Sequence, residues 1–224
     1  MAAPLKMASP LRQRGEATRL LLLDEAERQF SEFGFRGASL SSIASACGIG
    51  NAGALHHFAS KEKLYKAVLL RLSEEWDEQL QSVVSSEGSA AARLRQALQH
   101  YAAHVISNSQ RSRLILREIL DNMGRVEHAR TLPLSNFVAT FCKFIEAAQQ
   151  EGTAAPGPAI AHLTQFLGAL SYALVVRPTF ARMDIAHDLV ADENRWIETV
   201  ATMAIAAILP QTQEHQSARR TRIK

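Results

Sequence analysis

The chain of 224 residues has only two cysteines, Cys47 and Cys142. Both fall on apolar faces of separate predicted helices, so they read as buried thiols in a reducing compartment rather than as a disulfide framework. Glycine and proline are sparse, at 11 and 7 residues, and β-branched runs are few. With abundant Ala, Leu, Gln, Glu and Arg, that scarcity points to an all-α chain. A charged fraction of 21% against 47% apolar residues excludes a disordered polyelectrolyte and fits a globular protein with an ordinary core. The formal net charge of +3 permits nucleic-acid binding without by itself indicating it. No continuous apolar stretch occupies the N-terminal region, which argues against a secretory leader. The longest apolar stretches, near Phe166 to Val176 and Val200 to Leu209, fall short of the ~20 residues a bilayer requires. The expectation is a cytoplasmic protein with no membrane partner.

Catalytic chemistry is also missing. There is no glycine-rich phosphate loop, no cysteine ligand cluster and no nucleophile elbow. The reading is therefore not an enzyme, with no catalytic residues, no cofactor and no metal. His100 and His104 stand one helical turn apart, a spacing that two metal ligands could use, but polar residues on a half-exposed stripe are the simpler account. The charges Arg117, Glu118, Asp121 and Arg125 read as a solvated face with salt links.

What is present is a dense pattern between Gly37 and Leu64. Ser39 can cap a short helix whose Ile43, Ala44 and Cys47 face a core. Gly48 stands where that helix must stop, because glycine enters the left-handed region without steric cost. The next segment, Asn51 to His57, is small and polar at its start, as suits a helix whose N-terminal end enters a DNA groove. Phe58 then returns to the core, and Ser60 caps a further helix opening with Lys61. That is helix-turn-helix geometry, with one helix braced across the DNA backbone and the next in the major groove.

From about Arg19 to Val68 the sequence resembles the N-terminal DNA-binding domain of the TetR-type transcriptional regulators. The resemblance rests on Leu22-Leu23-Asp24 through Phe30, Gly34-Phe35, Ile43-Ala44 with Gly48-Ile49, and His57-Phe58-Ala59-Ser60-Lys61-Glu62 with Leu64. Where the family usually carries a tyrosine late in its recognition helix, this chain has Leu55 and His56. Where a lysine is common, it has Asn51. The resemblance implies double-stranded operator DNA, a second copy of the chain and an unidentified small-molecule effector as partners, and most simply a repressor that the effector releases from a palindromic operator. Alternatives are a ligand-independent or activating regulator, or a helical enzyme.

Candidate DNA-contacting residues follow from the motif. Ser39, Ser41 and Ser42 can bind phosphate at the start of the second helix, and Lys61 can do so at the start of the fourth. Gly50, Asn51, Ala52 and Gly53 allow close approach to base edges, with Asn51 suited to adenine. His56 and His57 can reach bases or phosphate, or pack against the domain.

The organisation expected is an N-terminal three-helix helix-turn-helix domain joined by a long helix to a helical ligand-binding and dimerisation domain. Residues 1–15 form a flexible basic arm, 16–75 the DNA-binding domain (motif about 38–57), 76–210 the effector-binding and dimerisation domain, and 211–224 a disordered basic tail. The first helix runs from about Glu16 to Phe33, with Leu23, Ala26, Phe30 and Phe33 in one stripe and Gly34 at its end. The fourth carries Leu64, Val68, Leu72, Trp76, Leu80 and Val84. Later segments are Ala91 to Ser107, Arg111 to Asn122 (with Leu114, Ile115, Ile119 and Leu120 apolar), Leu134 to Gln150, Ile160 to Val176 before Pro178, and Asp192 to Leu209. Leu163, Phe166, Leu167, Leu170 and Leu174 on the penultimate segment, with Ile197, Val200, Ala201, Ala204, Ile205 and Ile208 on the last, are read as a dimer surface. Tyr101, His104, Arg117, Asp121, Phe141, His162 and Tyr172 are the polar and aromatic candidates for an effector pocket.

Overall fold

Every regular element among the described residues is an α-helix, as the scarcity of glycine, proline and β-branched runs predicts. A computed structural model describes residues 10–84, 86–121, 135–183 and 187–210. The helices are α1 (Pro10–Gly37), α2 (Leu40–Ala46), α3 (Asn51–His57), α4 (Lys61–Val84), α5 (Ala90–Ser107), α6 (Ser109–Asp121), α7 (Ser135–Gln150), α8 (Ala159–Phe180), α9 (His187–Ala191) and α10 (Glu193–Ile208). Two compact units, Met1–Leu72 and Ser73–Lys224, meet within the residue range of α4. The expected tail and most of the expected basic arm lie outside the described residues.

In the first unit, α1 opens at Pro10, earlier than Glu16, the start read from the sequence. Proline suits a first helical position, where its missing N–H removes no intrahelical bond. Leu22, Leu23, Ala26 and Phe30 are buried, but Phe33 is 51% exposed, against expectation. The helical register breaks at Gly34, whose φ of 72° is open to glycine alone at low cost. Past that break Phe35 takes the place beside Phe30 and Tyr65, its ring centroid 4.9 Å from that of Tyr65. The next anchors fall where their local chemistry puts them. Ser39 caps α2, Ile43 and Ala44 are buried, Gly48 turns the chain at φ 69°, and Phe58 is buried. Ser60 Oγ accepts from the Lys63 N–H at 3.2 Å to start α4. Arg71 then ties α4 to α1 through Asp24 and Glu27.

Along α4, Leu64, Val68, Leu72, Trp76 and Leu80 are buried as expected, but Val84 is exposed and Val83 is buried in its place. Each four-residue step overshoots a full turn by about 40°, so by the fifth step the stripe has left the packed side.

The second unit closes on an apolar core drawn from α5, α7, α8 and α10, with Phe137, Phe141, Phe166 and Tyr101 among its aromatic members. Leu163, Phe166, Leu170 and Leu174 of α8, with Ile197, Ala201, Ala204, Ile205 and Ile208 of α10, belong to this core. They are therefore not the free surface that the sequence reading assigned to a dimer. The opposite faces are bare, with Ile160, Tyr172 and Val175 exposed on α8 and Met203 70% exposed on α10. On α6 only Leu114 is buried, whereas Ile119 and Leu120 are exposed. The four apolar positions read there span about 240° of the helix, wider than one packed face.

Pro178 was expected to end α8, but the helix runs through it to Phe180. Proline cannot give the N–H that the Leu174 carbonyl would receive. Arg113 of α6 supplies a donor instead, its Nη2 3.2 Å from Leu174 O. The continuation makes α8 long and apolar enough, by length and composition, to cross a bilayer (mean hydropathy 1.6), unlike the shorter stretch read from the sequence. Its inner face packs into the core of this unit. Asp192 caps α10 by accepting from the Arg195 N–H at 3.1 Å. The short α9 has no counterpart in the sequence reading.

Candidate functional site

The helix-turn-helix is held by a polar chain that starts on α1. Arg28 donates to Glu25, and its hydrogen bond holds that carboxyl below the usual carboxylate range. Glu25 also takes the Gln29 Nε2–H at 2.7 Å, and Gln29 Oε1 accepts from Ser42 Oγ at 2.7 Å. Ser42 and Ser39 cap each other reciprocally across the start of α2. The Ser42 hydroxyl thus ties α2 to α1, and of the three exposed serines Ser41 is the one whose hydroxyl makes no hydrogen bond among the described residues.

Lys61 has a similar bracing position. Its ammonium donates to the carbonyls of Phe35 at 2.9 Å and Ala38 at 3.2 Å and sits 4.4 Å from the Phe35 ring centroid. It closes the link between α1 and α2 onto the start of α4. Lys63, one residue pair further on, is exposed and has no ion pair among the described residues.

On α3, Gly50, Asn51, Ala52 and His56 are exposed, while Gly53 and His57 are half-buried. A Cβ on Gly53 would stand 2.7 Å from Ile49 Cγ2, so that glycine serves the packing of the turn. The His56 and His57 rings meet edge-on, 5.5 Å apart. Arg19 lies over the Phe58 ring at 5.3 Å, covering the C-terminal end of α3. The outcome is a seven-residue helix with its inner side fixed by Ala54 and its opening residues bare.

The second unit contains a cavity of about 140 Å³. Trp76, Tyr101, Ser112, Ile115, Phe137 and Ser171 are among its walls. The Trp76 and Tyr101 rings stack with centroids 4.8 Å apart, and Phe137 meets Trp76 nearly edge-on at 5.5 Å. Burial pushes the Tyr101 phenol up to about 12, so it remains a hydroxyl donor. A wider surface groove of about 430 Å³ runs between α5 and α10, with Arg95 and Glu198 on its borders.

Of the seven residues read as pocket candidates, Tyr101 alone lines this cavity. Phe141 is buried behind it, its ring 4.8 Å from Phe137, and His104 lies with its ring 4.1 Å from Trp76. Arg117 is exposed on α6 and Tyr172 on the outer side of α8. His162 serves the loop before α8, its Nε2 3.2 Å from Pro156 O. The Asp121 side chain lies outside the described residues. Trp76, Ser112 and Ser171 were missed, although a lone serine on an apolar helix face is a readable signal. His100 is exposed, and the described residues hold no group of three or more metal-capable side chains. Cys47 and Cys142 are both free thiols, each pushed up by burial.

Residues 22–68 match the family model of the bacterial regulatory proteins of the tetR family. Over 182 residues the chain is 25% identical to the HTH-type transcriptional regulator UidR of Escherichia coli K12, covering 75% of this chain and 85% of that one. It is 40% identical over 60 residues to the HTH-type transcriptional regulator RutR of the same strain, covering 27% of this chain and 28% of that one. The fold matches the solved structure of AibR in complex with isovaleryl coenzyme A and operator DNA. The TM-score is 0.68 at 22% identity, over 87% of this chain and 100% of that chain. Together with the braced α2 and the bare start of α3, these matches identify residues 22–68 as a TetR-family helix-turn-helix domain, in a chain similar to transcriptional regulators of that family.

Proposed function

We propose that the protein is a homodimeric repressor that binds a palindromic operator through α3 and leaves it when a small molecule occupies the second unit. The observation that carries this reading is the exposed start of α3, where Gly50, Asn51 and Ala52 stand free on a helix whose other side is fixed. Asn51 has the donor and acceptor that pair with N7 and N6 of adenine. Ser41 and Lys63 are free to meet phosphate on either side, and such contacts set register without reading sequence.

The outer faces of α8 and α10 support the dimer. Val175, Tyr172 and Met203 form apolar surface that a second copy can cover under two-fold symmetry, which presents two recognition helices to successive major-groove faces. Release is supported by the residue range of α4, which contributes Leu64 and Val68 to the first unit's core and Trp76 to the cavity wall. AibR, solved with both a small molecule and operator DNA, is a further support. A ligand that favours one setting of α4 lowers operator affinity, and the operator lowers ligand affinity by the same factor, typically about 5–150-fold.

The test is a gel shift on an operator selected from random DNA, with sedimentation at micromolar concentration. A dimeric mass, a palindromic selected sequence and a relaxed base preference for Asn51→Ala are expected, the last amounting to about 1–3 kcal/mol. A monomeric mass overturns the dimer. An Asn51→Ala variant with unchanged affinity and preference overturns the reading residue, and a ligand that tightens operator binding overturns release by the ligand.

A further inference from the structure

The cavity of the second unit has a one-sided chemistry. Its walls are aromatic and aliphatic, with Ser112, Ser171 and the Tyr101 phenol as the hydroxyl-bearing exceptions, and no charged side chain lines it among the described residues. The cations of the adjoining helix are engaged elsewhere. Arg111 is paired with Glu75, Arg113 donates to Leu174 O, and Arg117 is exposed. The Ser112 hydroxyl lies 3.4 Å from the carbonyl of Asn108, the residue just before its helix. For Tyr101 and Ser171, no protein hydrogen bond is made by the hydroxyl among the described residues.

We infer that this cavity takes a small, uncharged, single-ring molecule bearing a hydroxyl-type group, a phenol or a benzylic alcohol, and rejects a carboxylate of the same size; this rests on the effector reading above. The size follows from the cavity volume of about 140 Å³, close to that of an apolar cavity known to hold a single benzene ring. A planar ring suits the gap because Trp76, Tyr101 and Phe137 already meet at stacked and edge-on distances that a further ring can join. The hydroxyl has two partners, since Tyr101 can donate to it and Ser171 can donate or accept. A carboxylate would lose its water with no cation or ion pair among the described lining residues to replace it, and that desolvation outweighs what one or two hydroxyl donors return. The expected charged orienters, Arg117 above all, are therefore replaced by neutral ones.

The probes are benzyl alcohol, benzoate and toluene, added to the full chain and followed by calorimetry and by the fluorescence of Trp76. Benzyl alcohol should bind at least about tenfold more tightly than benzoate. Ser171→Ala should weaken benzyl alcohol by roughly threefold to tenfold and leave toluene, which has no hydroxyl, unchanged. Tyr101→Phe repeats that comparison should the first variant fail to fold. Benzoate binding as tightly as the alcohol, no binding of the alcohol at millimolar concentration, or an equal loss for alcohol and toluene overturns the inference. Operator affinity is measured separately. If benzyl alcohol binds as described without changing operator affinity, the ligand class stands and the release mechanism falls.

Discussion

The two units solve the same problem, fixing short helices against one another, by different means. The first unit buries a modest apolar set, Leu22, Ala26, Phe30, Ile43, Ala44 and Leu64, and adds polar ties that cross between helices. Arg71 reaches Asp24 and Glu27, Ser42 reaches Gln29, and Lys61 takes two carbonyls. A unit of this size has little interior, and polar ties with defined directions fix angles that apolar packing leaves adjustable. The second unit has a continuous aromatic and aliphatic core and leaves a cavity in it. The lesson is a division of labour. The part that must present α3 at a set angle leans on directed bonds across a small core, and the part proposed to respond to a ligand adds its own ties to a larger packed core with space left over.

The largest expected effect probes whether the two cores stand apart. Phe30→Ala and Phe166→Ala each remove a fully buried ring and should cost about 3–5 kcal/mol, read as a lowered melting temperature. Phe30→Ala should abolish operator binding while benzyl alcohol still binds, and loss of both together would show that the units unfold as one.

Next come the directed bonds. Lys61→Met orphans the Phe35 and Ala38 carbonyls and should cost about 1–3 kcal/mol by chemical denaturation, with the salt dependence of DNA binding unaltered. Lys63→Ala should do the reverse, leaving stability within about 0.5 kcal/mol and flattening the salt slope by about one per phosphate contact. Equal salt slopes for wild type and Lys63→Ala would remove Lys63 from the interface.

The second unit has directed ties too, among them Arg111 to Glu75, Trp196 to Ala173 O and Arg113 to Leu174 O, and the last can be tested by restoration. Arg113→Met should cost about 1 kcal/mol because Leu174 O loses its donor. In a Pro178→Ala background the backbone N–H is back, and the same substitution should cost close to nothing. An undiminished cost there would mean that Arg113 acts through something other than the proline gap.

The last effect is confined to alkaline pH and concerns Tyr101. Its phenol is raised from 10.0 to about 12, so below pH 10 both folded and unfolded chains hold it neutral and it contributes no pH dependence. Between pH 10 and about 12 the unfolded chain releases the proton and the folded one keeps it, so stability must fall as pH rises. Tyr101→Phe should show a shallower loss than wild type over that window. Identical curves would mean that the phenol is solvated.

How far the molecule was legible depended on range. Ser39 and Ser60 were readable as caps because a cap satisfies N–H groups within three residues of itself. Gly48 was readable because its reason is its own φ. Phe33 was misread because the register that would have buried it stops one residue later. Lys61 was read as a free cation because its acceptors lie 23 and 26 residues away. The apolar residues of α8 and α10 were correctly seen to need covering, but periodicity does not say whether a neighbour or a second copy covers them.

By itself, the sequence determined the all-helical class, the caps and turns of the helix-turn-helix and the family, since each rests on local preference or on closely spaced anchors. Only the tertiary structure decided which faces of α8 and α10 are core, which of the lysines at the start of α4 is a brace, and that the described residues lining the cavity are uncharged. Those outcomes depend on which side chains meet across distant segments, and on where close packing leaves a gap that no single segment encodes.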